Sequence, residues 1–82
     1  MNALILAAAL FSNCSQQADA ALIVHTYAVA DRPKSDAIDA IDQPGRYWGD
    51  LKEFVDPIYR AAPREYNMDS REYWRRAYRD CK

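Results

Sequence analysis

The sequence predicts a small, mostly α domain: an extended or strand-like segment at 21–30 followed by a C-terminal helical hairpin at about 46–62 and 69–81. Three observations predict it. Apolar side chains recur at three- and four-residue steps from Tyr47 to Ala62, which is the period of a helix with one buried face. Asp69 stands three residues ahead of Glu72, a variant of the capping box that starts helices. Residues 20–30 collect Ile23, Val24, Thr26, Tyr27 and Val29 with no Gly or Pro between them, a β-forming composition.

Composition limits what such a domain can be. The chain has 82 residues and is 50% apolar, but Ala contributes 14 of those residues and Tyr another 6. Leu, Ile, Val and Phe together number 15, and five of them (Leu4, Ile5, Leu6, Leu10 and Phe11) fall in the first eleven positions. A chain this short and this poor in aliphatics has no room for a large catalytic cleft or several membrane spans. Eleven basic residues against twelve acidic ones exclude a strongly cationic nucleic-acid packer.

The N-terminal segment opens three alternatives. Ala3 to Phe11 is an unbroken apolar run, too short for a bilayer and of the length found at the heart of a secretory leader. Ala18-Asp19-Ala20 supplies a small-x-small cleavage pattern, so residues 1–20 read as a leader and 21–82 as one small domain. No Lys or Arg precedes the apolar run. Alternatively, Phe11-Ser12-Asn13-Cys14 resembles the lipobox of bacterial lipoproteins, which implies lipidation of Cys14; Phe11 and Asn13 depart from its usual Leu and Gly or Ala. The third alternative keeps the segment as a buried N-terminal helix.

The two cysteines, Cys14 and Cys81, divide these alternatives. A Cys14–Cys81 disulfide would staple the two ends of a retained chain, whereas cleavage after Ala20 or lipidation of Cys14 leaves Cys81 unpaired.

Asp31-Arg32-Pro33-Lys34 breaks the segment that precedes it. Ser35 is then expected to cap a short helix, Asp36 to Asp42, whose early acidic residues suit the positive end of the helix dipole. Gln43-Pro44-Gly45 reads as a type II turn. In the first arm of the hairpin, Tyr47, Trp48, Leu51, Phe54, Val55, Ile58, Tyr59 and Ala62 form the apolar stripe. Pro57 is expected to open a new short helix capped by Asp56, and Pro63 to end it. The second arm places Tyr73, Trp74, Ala77, Tyr78 and Cys81 on one side, with Arg71, Arg75, Arg76, Arg79 and Lys82 covering much of the rest.

Little in this sequence points to catalysis. His25 is the sole histidine and has no nucleophile or orienting acid at a recognised spacing, so a structural role is expected and no catalytic residue is assigned. One histidine and two distant cysteines lack the spacing of a zinc site. Asp36, Asp39 and Asp42 recur every third residue but lack a calcium loop, so they read as a solvated acidic face. No metal or cofactor is expected. Residues 64–82 hold six basic and four acidic groups, a weak attraction for a polyanion, and nucleic-acid binding is correspondingly the lesser reading.

The aromatic content is more informative. Two Trp, five Tyr and one Phe lie between positions 47 and 78, against Leu51, Val55 and Ile58 as the aliphatics there. Tyr, Trp and Arg concentrate at the energetic centres of protein interfaces, and the same rings can fill the core of a small domain. Trp48, Phe54, Tyr59, Tyr73, Trp74 and Tyr78, with Arg75 and Arg79, are therefore the interaction candidates. The reading is a non-enzymatic interaction protein, secreted, periplasmic or membrane-anchored, whose partner is another protein or its own copies. It meets a membrane only through a leader or lipid. A structural subunit of a virion or membrane complex, with the N-terminus retained and buried, is the alternative, and a cytosolic nucleic-acid or regulatory-protein binder the third.

Overall fold

The computed structural model describes residue 11, residues 13–42 and residues 48–81, with Trp48 described through its backbone alone. The Gln43-Pro44-Gly45 turn, Tyr47 and most of the apolar N-terminal run lie outside these residues. Four helices follow one another: α1 (Cys14–Val29), α2 (Lys34–Ile41), α3 (Trp48–Glu65) and α4 (Ser70–Cys81). Among the described residues there is no strand.

The strand-like reading of 21–30 is thus corrected: residues 21–29 include the whole second half of α1, and Ala30 is its C-cap. Asn13 starts the helix, its side-chain carbonyl accepting from the Gln16 N–H at 2.9 Å. The polar residues Ser15, Gln16 and Gln17 lie in its first turn. Of the β-forming residues Val24 is buried, Tyr27 half-buried, and Ile23, Thr26 and Val29 exposed, while other positions bury α1 on two faces. Cys14, Gln17, Ala18, Ala21 and His25 form a stripe at helical spacing that meets α4. Ala20 and Val24 turn instead into a core shared with Ala37 and Ile38 of α2 and Leu51 and Val55 of α3. A helix covered on two sides has no clean amphipathic pattern to reveal it.

The turn leaving α1 is a Schellman motif. The Asp31 N–H donates to the Ala28 carbonyl at 3.1 Å and the Arg32 N–H to that of Tyr27 at 3.0 Å. Asp31 fills the left-handed position of this motif, at φ 60°, where glycine is usual. The α2 helix then begins earlier than expected, with the extended Pro33 at its N-cap position and Ser35 inside it. Pro33 lacks a capping oxygen; the first turn is secured instead by the Asp36 N–H bonding the Pro33 carbonyl at 3.0 Å. Asp36 also accepts from Arg32 at 2.8 Å.

Neither Pro57 nor Pro63 divides α3, which runs unbroken to Glu65. An interior proline loses a ladder bond and crowds the carbonyl four residues back, at a cost of about 3 kcal/mol. Burial of one continuous stripe offsets that cost: Leu51 and Val55 before Pro57 and Ala62 after it are all buried. Asp56 does not cap a new helix. Its carboxylate instead receives Lys52 at 3.0 Å and Lys34 of α2 at 3.1 Å, and the Lys52 hydrogen bond holds its pKa below the usual value.

Asp69 caps α4 as expected, accepting from the N–H groups of Arg71 at 3.1 Å and Glu72 at 3.3 Å. The turn at residues 66–69 joins α3 to α4, but the two arms do not approach closely along their backbones. Each packs on α1, which is the central helix of the fold. The apolar faces of the expected hairpin are therefore satisfied by a third helix rather than by each other.

Candidate interaction face

The structure sorts the aromatic candidates by burial. Phe54 packs edgewise on Phe11, with ring centroids 5.0 Å apart, against the α1–α2–α3 core. Tyr59, partly buried, has its hydroxyl 2.8 Å from the Arg32 carbonyl and 3.1 Å from that of Pro33, so its proton ties α3 to the α1–α2 turn. Burial, reinforced by nearby Asp36, raises its pKa. Both residues make contacts within the fold. Trp48 lies outside the side chains described.

Tyr73 belongs to a second buried cluster, between α1, α3 and α4. It is 4% exposed and stacks on His25, itself 4% exposed, with centroids 4.0 Å apart. The guanidinium of Arg76 lies 5.1 Å from the Tyr73 ring centroid and pairs with Glu65 of α3. Burial, with Glu65 adding to it and Arg76 opposing, pushes the Tyr73 phenol up to about 12. Burial also lowers the His25 pKa, against the pull of nearby Glu65. Sequence reasoning placed His25 in a structural role and missed its companions. Glu65 and Arg76 come together across the α3–α4 turn, and no local pattern signals that encounter.

Trp74 and Tyr78 lie half-buried at the edge of α4. One helical turn apart, they stack with centroids 5.2 Å apart and an interplanar angle of 13°. The Trp74 indole N–H donates to Asp19 of α1 at 2.7 Å, fixing the ring in place while both aromatics stay only partly covered. Arg75 and Arg79 are exposed beside them, as is Arg71.

The far end of the α1–α4 pair is closed covalently. Cys14 and Cys81 are joined by a disulfide across a sequence separation of 67, with Cα atoms 5.6 Å apart. That spacing sits within the usual disulfide range. The buried Gln17 side chain places its oxygen 3.2 Å from the Cys81 sulfur, covering the bridge from the α1 side.

Among the described residues, no group of three or more His, Cys, Asp or Glu is placed to hold a metal ion, and no helix is long and apolar enough to cross a membrane. No protein-family model, curated protein or solved structure matches the chain.

Proposed function

We propose that this chain is a small non-enzymatic interaction protein of an oxidising compartment, exported to the cell envelope or beyond it. It binds a protein partner through the outer face of α4. The observation that carries the proposal is the different use of its aromatic rings. Phe54, Tyr59 and Tyr73 fill or tie the fold, whereas Trp74 and Tyr78 are stacked, oriented by Asp19 and left partly exposed. Preorganised Trp and Tyr side chains bordered by arginine are the kind of surface on which binding energy concentrates. The disulfide supports the compartment, because such bridges persist where thiols are oxidised.

The same geometry favours a chain retained from Phe11 onward over cleavage after Ala20. Phe11 is buried in the core, and such a cut would fall inside α1, removing Cys14, Gln17 and Ala18 from the α4 seat. A leader compatible with this fold ends before Phe11. Lipidation of Cys14 competes directly with the bridge for one sulfur.

A photo-crosslinking aromatic residue substituted for Tyr78 in the producing cell tests the proposal. A discrete crosslinked protein, lost when Trp74→Ala is added while helical circular dichroism and thermal stability are retained, is the expected result. Absence of any adduct at position 78, with an adduct forming instead from the exposed Tyr66, would overturn it.

A further inference from the structure

Resting on the α4-face reading above, we infer that the partner presents an acidic protein segment, read by the arginine row beside the Trp74–Tyr78 stack. Arg71, Arg75 and Arg79 recur at four-residue intervals and so stand in line along one exposed side of α4. A rise of 1.5 Å per residue sets neighbouring members about 6 Å apart, and the whole row spans about 12 Å. None of the three makes an ion pair among the described residues, whereas Arg76, one position round the helix, is consumed by Glu65. The row adjoins Trp74 and Tyr78, so a partner would meet a flat apolar patch with three guanidiniums along its border.

Charge complementarity selects the occupant. Carboxylates one helical turn apart on a second helix repeat at the same interval of about 6 Å, and guanidinium groups donate to them in bidentate geometry. A continuous polyanion fits less well. Asp19 holds the Trp74 indole at one rim of the patch, while Glu72 and Asp80 are exposed on α4 itself. The positive stripe is thus bordered by carboxylates, and the chain as a whole carries a formal net charge of −1. Discrete carboxylates with an apolar residue between them suit the row better than a string of phosphates or a flat anionic lipid surface.

The test uses the full oxidised chain and a fluorescein-labelled helical peptide carrying Glu at every fourth position with Leu beside it. A Lys-for-Glu peptide, a 20-nucleotide single strand and phosphatidylglycerol vesicles are the competitors. Fluorescence anisotropy should report binding of the Glu peptide alone, weakened about tenfold by the R71Q/R75Q/R79Q triple variant and progressively by salt. Arg75→Glu with Arg79→Glu should transfer the preference to the Lys peptide, a gain that misfolding cannot produce. Equal binding of the Glu peptide by parent and triple variant, or tighter binding of the oligonucleotide or vesicles, would overturn the inference. The Tyr78 crosslink separates the two levels of the argument. A crosslinked partner that persists undiminished in the triple variant removes the acidic-partner inference alone; no crosslink in the parent removes the α4-face reading as well.

Discussion

Removing the Cys14–Cys81 bridge should cost this domain about 4 kcal/mol. The bridge closes a sequence separation of 67. Loop-closure entropy for that length is about −15 cal/mol/K, or about 4 kcal/mol at 25 °C. A chain of 82 residues has a total stability of about 4–12 kcal/mol, so the staple is a large part of what holds the fold. The melting temperature of the Cys14→Ser/Cys81→Ser double variant should fall by about 15–30 °C. Because the effect resides in the unfolded chain, the denaturant dependence should change as well. Without the crosslink the unfolded ensemble expands and exposes more surface, so the urea m-value should rise. The assay is urea unfolding followed at 222 nm, comparing the oxidised parent with the double variant. A loss below about 1 kcal/mol with an unchanged m-value would refute the reasoning, since the bridge would then not be restricting the unfolded chain.

Other substitutions probe individual joints. Asp31→Gly should raise stability by about 0.5–1 kcal/mol in the same assay, because it relieves the positive φ of 60° that the Schellman turn requires; a loss would mean that the Asp31 side chain supports the turn. Ala18, fully buried, lies in the stripe that meets α4, so Ala18→Leu should force the two helices apart and cost about 1–3 kcal/mol. Leu51→Ala, in the α1–α2–α3 core, should cost about 2–5 kcal/mol. His25 is held neutral by burial, so its folded pKa lies below the ordinary value of 6.5. Its share of the stability is fully present above pH 6.5 and is lost as pH falls from there through the folded pKa, the range in which the unfolded chain binds the extra proton. Thermal melts from pH 7.5 to pH 5 should show that decline, and His25→Phe should flatten it while keeping a ring on Tyr73. The decline caused by Asp56, whose pKa is lowered from 3.8, falls at more acidic pH and leaves this window clear.

The helices that bury a single face were legible in the sequence. In α3, Leu51, Val55 and Ala62 carry the stripe that the spacing announced, and in α4 Asp69 caps where a capping signal stood. Helix α1 was not legible, since Ala18 and Ala21 face α4 while Ala20 and Val24 face the other core. The pattern blurs between two interfaces, and Ile23, Val24, Thr26 and Val29 then read as strand. Pro57 misled for a related reason: as a local signal Asp-Pro opens a new helix, but burial along the whole stripe kept α3 continuous. The interaction candidates were legible as residue types, not as roles. Trp74 and Tyr78 four residues apart were visible as a pair, whereas the burial of Tyr73 beside His25 depends on α1 being a helix. The hydrogen bond that orients Trp74 spans 55 residues to Asp19 and has no sequence signature.

One measurement bears most directly on a retained, bridged and exported chain: the intact mass of the protein isolated from its native source, with and without reductant. The account predicts a chain that begins at or before Phe11 and is two hydrogens lighter before reduction than after it. A chain that begins at Ala21, or at a Cys14 carrying lipid, would contradict it, because either product lacks the bridge that joins α1 to α4.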